Sequence, residues 1–220
     1  MTLTSTLFET IMQDHQSSLR IIGIVGSLRQ GSYTRLAVRI ALQGAEEMGA
    51  ATRLIDLRDY DLPFCNGEHD QVDDFPDALR LKEEVSAAQG VILGSPDYHG
   101  SFSGVLKNAL DLMGFDEFGG KVMGLVGVSG GALGTVNALN DLRKVGRSLH
   151  AWVAPQQAAV PQASKHFDAN GRLDDPDYEK RLREVGREVA RFAYLLTSKE
   201  TRAFLELWEN AMPNPGGEHR

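Results

Sequence analysis

The chain reads as a three-layer α/β domain built on a five-stranded parallel sheet, and two observations carry that reading. Three apolar runs, Arg20 to Ser27, Gly90 to Ser95 and Lys121 to Ser129, have the length and composition of buried strands, and each ends in a serine. The segments between them have helical periodicity, so right-handed crossovers make the strands parallel and bring their carboxyl ends to one edge. In open α/β sheets ligands bind at that edge, where the strand order reverses. Ser27, Ser95 and Ser129 thus mark three small polar turns converging on one place, rich in hydroxyl and backbone N–H donors.

Taken in order, residues 1–18 form an extension ahead of the first strand, with helical spacing over Leu7 to Met12. Tyr33 to Met48 sets Leu36, Ala37, Ile40, Ala41 and Met48 on one helical face, with Ser32 or Thr34 as its N-cap and Gly49 as its stop. Ala51 to Leu57 is the second strand. Arg58 to Pro76, with Pro63, Asn66 and Gly67, reads as a long loop. Helices follow over Asp77 to Gln89, Phe102 to Met113 and Leu133 to Leu149, and Ala151 to Val153 supplies a short fifth strand. Tyr178, Leu182, Val185, Val189, Phe192 and Leu196 mark the last core helix. Ser198 to Met212 is a further helix and Pro213 to Arg220 a frayed tail. The domain is therefore expected over 19–197, flanked by extensions 1–18 and 198–220.

Composition excludes several classes of function. A formal net charge of −7, with no stripe of Lys and Arg to offset it, argues against general binding of nucleic acid or acidic membranes. Any phosphate affinity must then be local. Cys65 is the one cysteine, so intrachain disulfides and cysteine-cluster metal sites are excluded. The first twenty residues lack a signal-peptide core, and no apolar run reaches membrane-spanning length, so a cytoplasmic protein is expected.

The first turn, Gly26-Ser-Leu-Arg-Gln-Gly-Ser-Tyr-Thr34, joins a strand to a helix N-terminus, whose unpaired N–H groups and positive dipole end favour phosphate. Ser27, Ser32 and Thr34 add hydroxyls and Arg29 a charged planar fork; the same letters also describe a tight turn plus a cap. Gly26 and Gly31 have P-loop spacing, but Ser32 stands where the lysine belongs, which disfavours nucleotide hydrolysis. The glycine fingerprint of a dinucleotide site is missing from this turn. In Gly94-Ser-Pro-Asp-Tyr-His-Gly-Ser-Phe-Ser-Gly104, Tyr98 and His99 either border an aromatic ring or sit in a rigid Pro/Gly loop. Ser129-Gly-Gly131 offers open backbone donors or simple turn chemistry. Gln71 occupies the place where a thiol phosphatase built on Cys65 needs arginine, and His69, His150 and His166 lack metal-ligand spacing.

Gly26-Ser-Leu-Arg29 with Ser32 and Thr34, together with Ser95-Pro-Asp-Tyr-His-Gly-Ser101 and Gly104-Val-Leu-Lys-Asn-Ala-Leu110, resembles the NADPH-dependent FMN reductase family, from about Arg20 to Leu196. The resemblance implies a flavodoxin-like fold, strand order 2-1-3-4-5, bound FMN, and NAD(P)H as reductant. It implies that Ser27, Arg29, Ser32, Tyr33 and Thr34 gather at the FMN phosphate, that Pro96, Asp97, Tyr98, His99 and Gly100 line the isoalloxazine, and that Ser129, Gly130 and Gly131 complete its edge. Many relatives carry Glu in place of Asp97 and Asn in place of His99 and Thr34. Lys107 and Asn108 belong to the motif with a structural role expected. The implied activity is ping-pong hydride transfer through flavin N5 to a small acceptor (a flavin, quinone, azo dye or metal oxyanion), with no catalytic side chain and no metal, in a homodimer or homotetramer. Phe204, Leu205, Leu207 and Trp208 add a contact surface. Two alternatives stand beside it: a flavodoxin-type carrier or FMN-storage protein with little NAD(P)H oxidase activity, and an assembly domain with a vestigial site.

Overall fold

The computed structural model describes residues 19–68 and 71–211, so the expectations for 1–18, His69, Met212 and the tail lie outside the described residues. Five strands, β1 (Arg20–Val25), β2 (Ala51–Asp56), β3 (Gly90–Tyr98), β5 (Val122–Val128) and β6 (Trp152–Val160), pair in parallel in the order β2-β1-β3-β5-β6. A two-residue strand, β4 (Ser101–Phe102), folds back antiparallel on the end of β3. With that hairpin strand set aside, the order is the expected 2-1-3-4-5.

Both faces of the sheet are covered, which is why its central strands β1, β3 and β5 read as continuous apolar runs rather than alternating ones. On one face, Ile21, Val25, Ile92 and Val126 pack with Val38, Ala41, Leu182, Val185 and Val189 from α1 (Tyr33–Glu46) and α6 (Pro176–Thr197). On the other, Ile22, Ile24, Leu93 and Leu125 meet Leu81, Leu106, Leu110 and Leu142 from α2 (Pro76–Ser86), α3 (Gly104–Asp111) and α5 (Val136–Ser148). Each such fully buried Leu or Ile contributes about 1.5–3 kcal/mol. A one-turn α4 (Phe115–Phe118) precedes β5, and α7 (Lys199–Glu209) follows α6 without burying a residue. No helix among the described residues is long and apolar enough to cross a membrane.

Four details depart from the sequence reading. Strand β6 runs nine residues, not three, despite Pro155. It is an edge strand, where a missing N–H is tolerated. Met123 pairs with Val153 and Leu125 with Gln157, so Pro155 sits in a bulge, whose carbonyls Arg143 catches at Ala154 (2.9 Å) and Pro155 (3.4 Å). Strand β3 extends three residues past Ser95 into the hairpin, which takes Phe102 out of the following helix. Helix α5 starts at Val136, leaving Leu133 97% exposed in the preceding turn. Met48, Phe192 and Leu196 point outward, while Ala190 and Ala193 supply the core contacts expected of the last two.

Candidate functional site

The turns after β1, β3 and β5 do converge. They wall a cavity of about 310 Å³ at the carboxyl edge of the sheet, lined by Ser27, Arg29, Gly31, Ser32, Tyr33, Thr34, Pro96, Asp97, Tyr98, Val128, Ser129, Gly130, Ala163 and Ser164. Strands lie about 4.8 Å apart, so the β1 and β5 ends of this cavity are about 10 Å apart.

Local chemistry builds the first wall. Ser32 has extended backbone and its Oγ accepts from Arg35 N at 3.2 Å, which makes it the N-cap of α1 and leaves its hydroxyl hydrogen free to donate. Ser27, Ser32 and Thr34 are nearly buried, at 3%, 3% and 2% exposure. Gly26 is pinned on both sides, its N–H donating to Gly94 O at 2.8 Å and its carbonyl accepting from Ser103 Oγ at 2.6 Å. The missing side chain of Gly26 permits this closeness: a Cβ there would lie 2.7 Å from Leu106 Cβ, 2.9 Å from Ser103 Oγ and 3.1 Å from Gly94 O. Tyr33 stacks on Phe167, ring centroids 5.4 Å apart, and so closes the start of the helix from outside.

The second wall is a tight hairpin. Asp97 pairs with Phe102 and Tyr98 with Ser101, and the turn residues His99 and Gly100 have φ of 56° and 83°. Two left-handed residues make a type I′ turn, for which Asn-Gly is the favoured pair. Asp97 Oδ1 accepts from Gly100 N at 3.0 Å, and Ser101 Oγ donates to Asp141 on α5 at 2.8 Å. Ser95 turns inward instead of facing the cavity: its Oγ donates to Pro96 O and accepts from Ser103 N, at 2.8 and 2.9 Å. Tyr98 is 45% exposed, so it is a cavity wall and not a core residue.

The third wall comes from two strands. Ser129 N donates to Val160 O and Ser129 O accepts from Ala163 N, both at 3.0 Å, which ties the β5 turn to the chain leaving β6. Ser129 Oγ donates to Gly131 O at 3.0 Å.

Of the residues singled out from sequence, His99, Gly100 and Gly131 do not line the cavity; the first two form the hairpin tip, and the carbonyl of the third accepts from Ser129 Oγ and from Gln162 N at 3.2 Å. Gly31, Val128, Ala163 and Ser164 line it as well, the last two because β6 runs on to Val160 instead of ending at Val153 as the sequence predicts. Asn108 braces the β2–α2 loop, donating to Pro63 O at 2.8 Å and accepting from Cys65 N at 3.0 Å, while Lys107 pairs with Asp111.

The donor set suits a phosphorylated planar group. Hydroxyls and one guanidinium stand at the β1 end, and Gly31 and Gly130 have open space where a Cβ would be. Asp97 is the one carboxylate in the lining, and one of its oxygens is engaged by Gly100.

A model of the NADPH-dependent FMN reductase family matches residues 19–165. The chain is 33% identical over 183 residues to the NADPH-dependent FMN reductase ArsH of Shigella flexneri, covering 81% of this chain and 70% of that protein. It is 33% identical over 174 residues to an FMN-dependent NADPH-azoreductase of Staphylococcus aureus, covering 77% and 92%. Among solved structures, the flavoenzyme NAD(P)H:(acceptor) oxidoreductase FerB of Paracoccus denitrificans superposes with a TM-score of 0.67 at 23% identity, over 80% of this chain and 97% of that one, a likeness of fold. The apo form of an NADH:FMN oxidoreductase (EMOB) gives 0.64 at 25% identity, over 84% and 94%.

Proposed function

The chain belongs to the NADPH-dependent FMN reductase family, and on that premise we propose that it is an FMN-dependent oxidoreductase that oxidises NAD(P)H and reduces a small acceptor. The observation that carries this reading is the cavity shared by three strand-end turns, with hydroxyls and Arg29 at one end and Pro96, Tyr98 and Ser129 at the other.

Ser27, Arg29, Ser32 and Thr34, with the amides of the first turn and the start of α1, hold the phosphate of FMN. Tyr33 packs at the phosphate end. Pro96, Asp97 and Tyr98 border the ring on one side, and Ser129 and Gly130 do so on the other. His99, Gly100 and Gly131 act through the shape of their turns. FMN, when bound, supplies the two-electron chemistry between pyridine nucleotide and acceptor. The protein contributes orientation and hydrogen bonds, and no side-chain acid or base is required of it. The exposed Tyr98 leaves the ring end open to nucleotide and acceptor in turn, which suits ping-pong kinetics.

The acceptor belongs to the flat or oxyanionic molecules an open flavin face admits: a flavin, quinone, azo dye or metal oxyanion. The carrier alternative is less well supported, since the relatives at 33% identity are named as reductases. We assign residues 19–197 to the flavin domain, place the protein in the cytoplasm, and expect a homodimer or homotetramer. Helix α7 supports assembly, since it buries nothing and leaves Phe204 and Leu207 65% and 75% exposed. Light scattering at micromolar concentration should give at least a dimer; a monomer overturns that assignment.

The activity is tested by mixing FMN-loaded protein with NADPH or NADH without oxygen, then adding acceptors one at a time. Rapid bleaching of the flavin by nucleotide and its recovery with an acceptor are expected. Flavin that dithionite bleaches but neither nucleotide does would establish a carrier instead.

A further inference from the structure

Arg35, in the first turn of α1, has a side chain only 12% exposed. Its Nε donates to Asp56 Oδ2 at the end of β2 at 2.5 Å, while Nη1 and Nη2 donate to the backbone carbonyls of Gln30 at 2.9 Å and Arg29 at 3.2 Å. One planar fork thus joins a neighbouring strand to two successive peptides of the β1 turn, a geometry that the point charge of a lysine does not reproduce. Asp56 is itself buried and also accepts from Arg58, Nη2 at 2.9 Å. Burial pushes the Asp56 carboxyl up, but hydrogen bonds from Arg58 and Arg35 outweigh it and hold the group below the usual carboxylate range. The anchor is therefore charged at neutral pH.

A planar trans peptide carries its C=O and N–H on opposite sides. Holding the carbonyls of Arg29 and Gln30 turns the amides of Gln30 and Gly31 away from the guanidinium. Gly31 lines the cavity, and among the described residues neither amide donates to a backbone carbonyl. These are donors held in place with nothing of the protein's own backbone to satisfy them.

Resting on the reading that this turn meets the FMN phosphate, we propose that Arg35, anchored by Asp56, is a positioning residue that sets the Gln30 and Gly31 amides for that phosphate. Arg35 touches the backbone of the turn and not the ligand. Its effect therefore falls on discrimination between FMN and riboflavin, which differ by the phosphate alone.

The test titrates the full-length chain, freed of flavin, with FMN and with riboflavin, following flavin fluorescence, for wild type, Arg35→Gln, Arg35→Lys and Asp56→Asn. Thermal melts establish that each variant is folded. In Arg35→Gln, FMN affinity should fall at least about tenfold and riboflavin affinity less than about threefold. Arg35→Lys should give an intermediate FMN-to-riboflavin ratio, and Asp56→Asn a smaller shift in the same direction. A wild-type ratio in folded Arg35→Gln and Arg35→Lys overturns the proposal, as does a parallel loss of both flavins. If Arg35→Gln does not fold, Arg35→Lys and Asp56→Asn decide by the same ratio. A wild-type protein that binds FMN and riboflavin equally removes the phosphate reading itself, and this proposal with it; a large wild-type ratio that Arg35 variants leave untouched removes this proposal alone.

Discussion

In the turn after β1, three hydroxyl side chains are nearly buried, Gly26 is pinned on both sides, and Arg35 holds two carbonyls in place. In the hairpin after β3, Tyr98, His99 and Gly100 are exposed, two residues take left-handed backbone, and Asp97 supplies the bond within the turn. Both turns face one cavity. On the proposed reading the difference teaches how the work would divide: recognition of a charged group needs donors whose geometry is set beforehand, whereas a wall passed by successive substrates needs only shape and surface.

The strongest way to break this comparison is at Arg29. It lines the cavity and is exposed, so Arg29→Ala should leave the fold intact. Loss of its charged hydrogen bonds should weaken FMN about ten- to a hundredfold and riboflavin hardly at all. Fluorescence titration of both flavins decides, and an equal loss would mean that Arg29 serves the ring or the fold. A smaller effect tests the cap. Ser32→Ala removes the hydroxyl that accepts from Arg35 N, and should cost about 1 kcal/mol of stability in chemical denaturation. An unchanged midpoint would show that Arg35 and Asp56 hold the helix start without it.

Much of this arrangement was legible in the letters, because strands buried on both faces and small polar turns leave local signals. The serines closing β1 and β5, and the donors Arg29, Ser32 and Thr34, needed no long-range information. What stayed hidden depended on distant partners. Arg35 looks like one more charged residue on an amphipathic helix until β2 brings Asp56, 21 residues later, beside it. The same holds for Ala163 and Ser164, which reach the cavity only because β6 continues past Pro155 in a bulge that Arg143 braces. The hairpin escaped notice because His99-Gly100 lacks the Asn-Gly signature of its turn type.

That hairpin supplies the two gentler tests. Tyr98→Ala should alter NADPH or acceptor kinetics while the FMN-to-riboflavin ratio stays at the wild-type value; lost ring contact weakens both flavins alike, by about 0.5–1.5 kcal/mol. Normal turnover with a collapsed ratio would reverse the assignment of the two turns. His99→Asn places a residue at ease in left-handed backbone at φ 56°, and should stabilise the protein by about 0.5 kcal/mol, raising Tm by about 1–2 °C in calorimetry. A lowered Tm would mean that the imidazole makes a contact of its own.

The central claim is that the β1 turn reads a phosphate on a flavin, and the most direct measurement is a titration of the purified wild-type chain with FMN and riboflavin under identical conditions. The expected result is one FMN per chain, bound at least about tenfold more tightly than riboflavin. Equal affinity for the two flavins would contradict the account.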